Sequence, residues 1–252
     1  MWGKVALVTG AGAGIGRAVA ERLAREGMAV VVADTDERGG AETVRRIEAD
    51  GGSAAVVIAD VAAEGDARAM VAFAVRRFGG LDVLVNNAGG APEPHYPEAE
   101  PEHWSRTLDV NLRGSMLATQ FGVGAMRGGV IVNVSSMAGV GYEPYKAPEY
   151  AAAKAGVMRL TAALGYLKEE AGIRVNCVCP GWVETPAVRR ALDEMTAEER
   201  RSLAFPPPPV LIQPDEIAEV VVTFVREETL AGRIMVWPDG EAPRLIAVDA
   251  AC

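Results

Sequence analysis

Short runs of apolar, often β-branched residues alternate along the chain with longer stretches in which apolar positions recur every three or four residues. The first runs are KVALVT, MAVVVAD and SAAVVIAD, and the stretches between them are GRAVAERLAREG and DERGGAETVRRIEAD. Buried strands of a parallel sheet are continuously apolar, whereas the helices that cover such a sheet are amphipathic. The pattern therefore predicts βαβ units, in which each helix connects two parallel strands.

The alternation continues through ARAMVAFAVRRFG, LDVLVNN, a long helix at about residues 102–126, GVIVNVSS, a helix at about residues 148–170, and IRVNCVCPG. GRIMVW adds a seventh strand. No internal repeat or linker divides the chain. We predict an α/β fold with a single domain over residues 1–252, built on a doubly wound, Rossmann-type parallel sheet of about seven strands with helices on both faces.

One irregular segment lies at about residues 182–213, where short helical patterns are interrupted by four consecutive prolines. Such a run is stiff and extended, and it follows the carboxyl end of a strand, where α/β proteins bind ligands. We predict a lid over a substrate pocket, the alternative being a plain surface connection. Trp182, Met195, Leu203 and Phe205 indicate a pocket that is at least partly apolar.

Composition narrows the classes of partner. The chain has 34 acidic and 25 basic side chains, a formal charge of -9, which disfavours nucleic acid and anionic membranes and leaves a small molecule as the expected partner. Three cysteines and two histidines form neither a disulfide framework nor a metal-ligand cluster, so no metal is expected. No apolar run is long enough for a signal peptide or a membrane span, which predicts a cytoplasmic protein.

The first strand runs into the glycine-rich stretch TGAGAGIG, after which a helix begins. Its glycines do not fit GxGxxG, because Ile15 takes the last position, but Gly10, Gly14 and Gly16 fit TGxxxGxG. Glycine allows a tight turn and lets the backbone approach a pyrophosphate, whose charge the amides of a helix N-terminus can bind. The stretch therefore predicts a dinucleotide site.

Asp34 ends the second strand, eighteen residues beyond Gly16. A carboxylate there can accept hydrogen bonds from both hydroxyls of an adenosine ribose and would repel a 2′-phosphate, which favours NAD over NADP. Arg17 and Arg38 lie nearby in the sequence and would offset part of that repulsion. The alternative is that Asp34 is only a turn residue.

Two tyrosines are each followed by a lysine four residues later, Tyr142 by Lys146 and Tyr150 by Lys154. Pro144 and Pro148 prevent a helix across the first pair. Pro148 suits the first turn of a helix that contains the second pair, so Tyr150 and Lys154 share a helix face.

A lysine ammonium about 4 Å from the phenol would lower the tyrosine pKa by about three units at an effective dielectric near 20. Tyr150 and Lys154 are therefore predicted to form a proton-transferring pair.

Five motifs in order resemble the short-chain dehydrogenase/reductase family over nearly the whole chain. They are TGAGAGIG, NNAG at 86–89, NVSS ending at Ser136, YAAAK at 150–154 and PGWVET at 180–185. The resemblance implies hydride exchange between a nicotinamide and an alcohol or carbonyl. It also implies catalytic roles for Ser136, Tyr150 and Lys154, with Asn111 supporting a water chain to the lysine.

The resemblance, together with the glycine and aspartate patterns, assigns the cofactor-binding residues. They are Gly10, Gly14, Ile15, Gly16, Asp34, Asp60, Val61, Asn87, Ala88, Gly89, Tyr150, Lys154, Pro180, Gly181, Val183 and Thr185. Two features depart from the family pattern. Ser136 and Tyr150 are fourteen residues apart, one more than the commonest family spacing, and Asp239 near the C-terminal end falls one residue late.

The leading interpretation is an NAD-dependent dehydrogenase of a secondary alcohol or its ketone. One alternative is an NADPH-dependent 3-oxoacyl-carrier-protein-type ketoreductase, which Asp34 and the negative charge disfavour. Another is a non-catalytic NAD sensor, which the presence of both Tyr150 and Lys154 disfavours. The helices at about 102 and 148 resemble the family's subunit-pairing helices, implying a homotetramer or homodimer.

Three tyrosines and one histidine lie in loops near the predicted site. Tyr142 and Tyr145 are interpreted as loop residues that either line the pocket or face solvent. His95 and Tyr96 are interpreted as exposed loop residues near the cofactor, the alternative being that one of them contacts the substrate.

Overall fold

A computed structural model describes residues 1, 3–203 and 206–246 of the chain, so Phe205 lies outside the described residues. The strands are β1 (Val5–Thr9), β2 (Ala29–Asp34), β3 (Ser53–Ile58), β4 (Val83–Asn86), β5 (Gly129–Val134), β6 (Ile173–Pro180), β7 (Ile234–Trp237) and β8 (Arg244–Leu245). The helices are α1 (Gly14–Arg25), α2 (Glu37–Ala49), α3 (Glu64–Phe78), α4 (Pro101–Leu108), α5 (Gly114–Ala125), α6 (Pro148–Ala163), α7 (Leu167–Ala171), α8 (Pro186–Glu194), α9 (Ala197–Ser202) and α10 (Pro214–Arg226).

The strands form one sheet in the order β3-β2-β1-β4-β5-β6-β7-β8. Strands β1 to β7 pair in parallel, which confirms the Rossmann-type fold. The strand order reverses between β1 and β4, and α/β sheets bind ligands at the carboxyl edge of such a switch point.

The prediction of about seven strands was one too low. The chain turns back after Trp237, with Gly240 at a φ of 75°, and β8 pairs antiparallel with β7 through Met235 and Leu245. A strand of two residues, Arg244–Leu245, is too short to show a periodic pattern, which is why the sequence did not reveal it.

The core lies on both faces of the sheet because successive strand residues point to opposite sides. Val8 packs in the layer that contains Leu23 of α1 and Phe224 of α10, whereas its neighbour Leu7 packs in the layer with Met70 of α3. Side chains on both faces are thus fully buried, as the continuously apolar strand sequences predicted.

The long helix predicted at about residues 102–126 is present with one irregularity. Residues Asp109–Arg113 form a π-helical turn between α4 and α5, and the amide of Gly114 donates to the carbonyl of Asp109, five residues earlier. The second predicted helix corresponds to α6, a 3₁₀ turn at Leu164–Tyr166, and α7.

The two ends of the segment predicted as a lid, at about residues 183 and 212, lie side by side. Val183 forms a parallel bridge with Ile212, and the amide of Glu184 donates to the carbonyl of Ile212 at 2.8 Å. Between them, α8 and α9 precede the four prolines, and a cavity of about 550 Å³ lies among Arg189, Arg200 and the proline run. Within the described ranges, none of the helices has the length and apolar character that a bilayer crossing requires.

Candidate active site

The carboxyl ends of β1, β4, β5 and β6 bring the sequence-predicted site residues to one edge of the sheet. The glycine-rich turn follows β1, residues 87–89 follow β4, Ser136 lies two residues beyond β5, and Gly181 follows β6. Parallel strands all end at the same edge, so motifs far apart in sequence meet there.

The glycine-rich turn is packed too tightly for larger residues. Gly10 and Gly14 have φ values of 63° and 54°, in the left-handed region that glycine tolerates best. A β-carbon on Gly14 would lie 3.0 Å from Cγ2 of Thr185, so the turn faces the segment that follows β6. The two sides of the predicted dinucleotide site are therefore adjacent.

The N-terminus of α1 is suited to bind an anion. Its N-cap, Ala13, has no side chain that accepts a hydrogen bond, so the first-turn amides of Gly14, Ile15 and Gly16 are not capped by it. Uncapped amides and the positive end of the helix dipole attract phosphate groups. This local geometry fits the pyrophosphate of a dinucleotide, which Gly14, Ile15 and Gly16 would hold.

Asn87 joins the end of β4 to the glycine-rich turn. Its Nδ2 donates to the carbonyls of Thr9 at 2.9 Å and Gly10 at 3.2 Å. The hydroxyl of Thr9 in turn accepts from the amides of Asn87 at 3.0 Å and Ala88 at 3.1 Å. These four hydrogen bonds fix the spacing between β1 and β4 at the switch point.

Asp34 lies directly beside the glycine-rich turn. Its Oδ2 accepts from the amide of Gly12 at 2.7 Å, and its Oδ1 accepts from the amide of Asp36 at 2.9 Å. The carboxylate is partly exposed at the end of β2, where each oxygen has a second lone pair available. Asp34 is thus more than a turn residue, since it ties β2 to the turn that follows β1.

The two arginines near Asp34 differ in their environment. The Arg17 guanidinium donates to the carbonyl of Gly12 and to the Thr43 hydroxyl, the latter at 3.0 Å. Arg38 is exposed on the first turn of α2. The Arg17 guanidinium is therefore hydrogen-bonded within the protein, whereas the Arg38 side chain faces solvent.

Asp60 and Val61 follow β3 at the same edge. The Asp60 carboxylate accepts from the amide of Ala62 at 3.0 Å and from the guanidinium of Arg106 at 2.7 Å. Val61 is buried, and a β-carbon on Gly114 would lie 2.7 Å from its Cγ2. Sequence reasoning did not find Arg106, which connects the Asp60 carboxylate to α4.

Tyr150 and Lys154 lie one turn apart on α6, as the proline positions predicted, and Lys154 Nζ is 5.5 Å from the centroid of the Tyr150 ring. The other pair, Tyr142 and Lys146, lies in a loop, with Tyr142 fully exposed. Ser136 hydrogen-bonds Tyr150, so the three predicted catalytic side chains are brought together.

The prediction that Lys154 lowers the pKa of Tyr150 is wrong. Burial raises the pKa of Tyr150 well above its ordinary value, and the hydrogen bond with Ser136 lowers it only in part. Burial also lowers the pKa of Lys154 to about 8. The ammonium lies over the ring rather than beside the hydroxyl, and desolvation is the largest cause of both pKa shifts.

Asn111 and Gly89 complete the surroundings of Lys154. Lys154 Nζ donates to the carbonyl of Val134 at 3.0 Å, and a β-carbon on Gly89 would lie 3.1 Å from Nζ and 2.4 Å from Asn111 Oδ1. Asn111 is in the π-helical turn, where its Nδ2 donates to the carbonyl of Thr107 at 2.9 Å. Gly89 therefore separates the lysine from the asparagine, and a larger residue would not fit.

Asp239, whose position departs from the family pattern, hydrogen-bonds the stretch from Pro180 to Thr185. The Asp239 carboxylate accepts from the amide of Trp182 at 2.8 Å, and a β-carbon on Gly181 would lie 2.4 Å from Asp239 Oδ1. Burial raises the pKa of Asp239, while the Trp182 amide acts in the opposite direction. The displaced aspartate thus supports the turn after β6.

The structure decides between the two alternatives for Tyr145 and corrects the interpretation of His95. Tyr145 is not a solvated loop residue, because its ring stacks on that of Tyr150 with centroids 6.4 Å apart. His95 is not an exposed loop residue either, because its Nδ1 is 2.8 Å from Oε1 of Glu149, which the sequence did not single out. Tyr96 is exposed, as expected.

Comparison with known proteins assigns the family. A family model described as short chain dehydrogenase matches residues 4–196. The chain belongs to the short-chain dehydrogenase family. It is 39% identical over 230 residues to cyclohexanol dehydrogenase of Acinetobacter sp. (strain SE19), covering 89% of this chain and 88% of that protein.

Two further similarities point to different members of the family. The chain is 40% identical over 233 residues to 2,5-dichloro-2,5-cyclohexadiene-1,4-diol dehydrogenase of Sphingobium indicum, covering 89% of this chain and 90% of that protein. A crystal structure of a variant of actinorhodin polyketide ketoreductase with NADPH superposes with a TM-score of 0.85 at 35% identity, covering 94% of this chain and 96% of that one. The family implies an oxidoreductase that uses a nicotinamide cofactor.

Proposed function

We propose that the protein transfers a hydride between NAD(H) and a small secondary alcohol or its ketone. The observation that carries the proposal is the cluster of Ser136, Tyr150 and Lys154 at the carboxyl edge of the sheet, beside the uncapped N-terminus of α1. The cluster provides a hydroxyl that hydrogen-bonds the phenol and a cation that lies over the phenol ring. These are the groups that alcohol oxidation and ketone reduction need.

Ser136, Tyr150 and Lys154 each have a separate role in the proposed reaction. A bound nicotinamide would supply the hydride to the substrate carbon in reduction or accept it in oxidation. The Ser136 hydroxyl donates a hydrogen bond to the substrate oxygen, and the Tyr150 phenol gives its proton to that oxygen in reduction or takes the proton from it in oxidation. Lys154 holds positive charge near the phenol, and we assign residues 87–89 to contacts along the cofactor.

The pKa directions relate this chemistry to pH. The raised pKa of Tyr150 keeps the phenol protonated and ready to donate to a ketone oxygen. Oxidation needs a tyrosinate, which a nearby ammonium favours. Since the pKa of Lys154 is about 8, that ammonium is present below pH of about 8 and is lost as the pH rises further.

Asp34 supports the choice of NAD over NADP. We assign the adenosine ribose to its carboxylate, which lies beside the glycine-rich turn, and a 2′-phosphate there would face a negative charge. Arg17 donates to Gly12 and Thr43, which leaves the exposed Arg38 as the side chain available to offset that repulsion. We assign the remaining cofactor contacts to Asp60, Val61, Pro180, Gly181, Val183 and Thr185.

The substrate class follows from the relatives and from one wall of the site. Two relatives are named for six-membered-ring alcohols, cyclohexanol and a dichlorocyclohexadienediol. In this chain the Tyr145 ring stacks beside the catalytic phenol and offers a flat apolar surface. We propose an alicyclic secondary alcohol or ketone, enclosed by the segment 182–213 acting as a lid.

An NADPH-dependent ketoreductase is the second candidate, since the chain superposes on actinorhodin polyketide ketoreductase with NADPH. Parallel fluorescence and calorimetric titrations with NADH and NADPH at one ionic strength, followed by turnover of cyclohexanol and a ketone panel, distinguish the two. We expect tighter NADH binding, and we expect Tyr150→Phe to reduce turnover by about 10²- to 10⁴-fold without weakening NADH binding. Tighter NADPH binding would favour the second candidate, and near wild-type turnover of Tyr150→Phe would refute the assignment of Tyr150.

Location and assembly are part of the proposal. Cys177 and Cys179 remain unbridged thiols with sulfurs 3.8 Å apart, which fits a reducing cytoplasm. An apolar surface patch formed by Leu108, Leu112, Met116 and Leu117 lies on the π-helical turn and its flanking helices. We propose that this patch pairs subunits in a homodimer or homotetramer.

A further inference from the structure

Glu149 is a buried carboxylate immediately before the proton-transferring tyrosine. Its side chain is only 3% exposed. Glutamate is rarely so deeply buried unless a partner compensates for its lost hydration. It occupies the first turn of α6, after Pro148, where the helix dipole favours a negative charge. The helix alone does not explain the burial, because the first turn of a helix is ordinarily open to solvent.

Both oxygens of Glu149 accept hydrogen bonds from one loop. Oε1 lies 2.8 Å from His95 Nδ1, and Oε2 accepts from the amide of Tyr96 at 3.4 Å. Because the Tyr96 amide can only donate, and because a carboxylate accepts with both oxygens, His95 donates through Nδ1. A single side chain on the catalytic helix thus binds the loop through one side-chain and one main-chain donor.

The same loop is attached to the other half of the catalytic site. At its start, Asn111 Oδ1 accepts from the amide of Gly90 at 3.1 Å, and Asn111 Nδ2 donates to the carbonyl of Gly90 at 2.8 Å. The loop therefore runs from the surroundings of Lys154 to the residue that precedes Tyr150. Between these attachments, residues 91–94 are exposed along the edge of the site.

We propose that Glu149 and His95 form a clamp that positions the 90–100 loop as a wall of the substrate pocket. Both are positioning residues, and this role rests on the proposed function of Tyr150. With the clamp closed, the loop and the Tyr150 phenol hold a fixed separation, and a substrate ring lies between the loop and Tyr145. Without the clamp, the attachments at Gly90 and at Pro92, whose carbonyl oxygen is 3.1 Å from His103 Nε2, remain, and the loop beyond Pro92 moves away from α6.

Three variants separate positioning from folding. Glu149→Ala removes both hydrogen bonds. Glu149→Gln retains them, because its amide can donate to Nδ1 of His95 in the other tautomer while its oxygen accepts from the Tyr96 amide. Glu102→Ala is the matched control, because Glu102 follows Pro101 in the first turn of α4 just as Glu149 follows Pro148 in α6, and Glu102 is exposed.

The first measurement needs no substrate. Hydrogen exchange of the ligand-free protein, followed by mass spectrometry of peptides covering residues 90–100, should be about tenfold faster or more in Glu149→Ala than in wild type. Glu149→Gln and Glu102→Ala should exchange like wild type. Unchanged exchange in Glu149→Ala would overturn the clamp, whether or not the protein proves to be a dehydrogenase.

The second measurement is steady-state kinetics with cyclohexanol, or with the best ketone of the panel. Glu149→Ala should raise KM for the alcohol or ketone about tenfold while KM for the nicotinamide cofactor stays within twofold, and Glu149→Gln should restore KM. A merely structural defect would lower kcat through loss of active protein and leave KM unchanged, which would overturn the positioning role. Absence of turnover in wild type would instead refute the proposed function, and the exchange result would still decide the clamp.

Discussion

Gly16 lies directly against Gly10, so that a β-carbon on Gly16 would be 2.2 Å from the Gly10 carbonyl oxygen and 2.6 Å from Asn87 Nδ2. Side-chain β-carbons do not approach other atoms so closely, and the nearest neighbour is backbone that cannot simply rotate away. Glycine at position 16 is therefore required by the contact between the start of α1 and the end of β1. The same contact sets the direction in which the first-turn amides point.

Gly16→Ala should weaken NADH binding at least tenfold and reduce the free energy of unfolding by about 1–3 kcal/mol, because the turn must shift to admit the methyl group. Gly65→Ala is the control, since Gly65 lies in α3 with nothing within 4 Å of its β-carbon position. That change should stabilise the protein by about 0.5 kcal/mol and leave NADH binding unchanged. Urea unfolding and fluorescence titration measure both effects, and equal behaviour of the two variants would contradict the steric argument.

Asp34→Asn should reduce the ratio of NADPH to NADH dissociation constants at least tenfold. The amide oxygen can still accept from the Gly12 amide, so the hydrogen bond to the glycine-rich turn survives, while the hydrogen bond from the Asp36 amide and the charge that repels a 2′-phosphate are lost. Calorimetric titration of both nucleotides measures the ratio. Asp36→Asn is the control for the loss of one negative charge, because Asp36 is the N-cap of α2, two residues after Asp34. A ratio that does not change would mean that the Asp34 charge does not select the cofactor.

Lys154→Met should alter how stability depends on pH. Burial lowers the pKa of Lys154 in the folded protein to about 8, so between pH 8 and the ordinary lysine value the unfolded chain binds more protons than the folded one. The wild type should therefore gain about 2 kcal/mol of unfolding free energy relative to Lys154→Met when the pH rises from 7 to 10. Denaturant unfolding of the ligand-free proteins at both pH values tests this, and parallel pH profiles would contradict it.

Met116→Asp should divide the proposed oligomer. Met116 is 48% exposed within the apolar patch that also contains Leu112 and Leu117, and burying a carboxylate there against a second subunit would cost its desolvation. Size-exclusion chromatography with light scattering should give a dimer or tetramer for wild type and a 26.5 kDa species for the variant. A wild type that is itself monomeric would refute the assembly.

Much of this site was predictable because its signals are local. Proline placement alone separated the helical Tyr150 and Lys154 from the loop residues Tyr142 and Lys146. The glycine spacing and Asp34 marked the turn after β1 and the end of β2. In each case a short stretch of sequence determines the local conformation, and the parallel sheet then brings the strand ends together.

Other features depend on contacts between distant residues. Nothing near Glu149 in the sequence shows that it binds His95, which lies 54 residues earlier. Asp239 is misplaced relative to the family pattern, yet it reaches the Trp182 amide because the turn after β7 compensates. The pKa of Tyr150 depends on burial, which no spacing rule supplies.

The π-helical turn at Asp109–Arg113 has a consequence for how this chain tolerates insertions and deletions. A π turn accommodates one more residue than the same length of α-helix, so deleting a single residue within it would restore a regular helix. Because the wider turn absorbs the extra residue, the helices on both sides would keep nearly the same rotation about the helix axis. The packing of α5 on the sheet would therefore be retained, whereas Asn111, in the middle of the π turn, would lose its position opposite Gly90. A one-residue deletion at this point is thus compatible with the fold but not with the contact between Asn111 and Gly90.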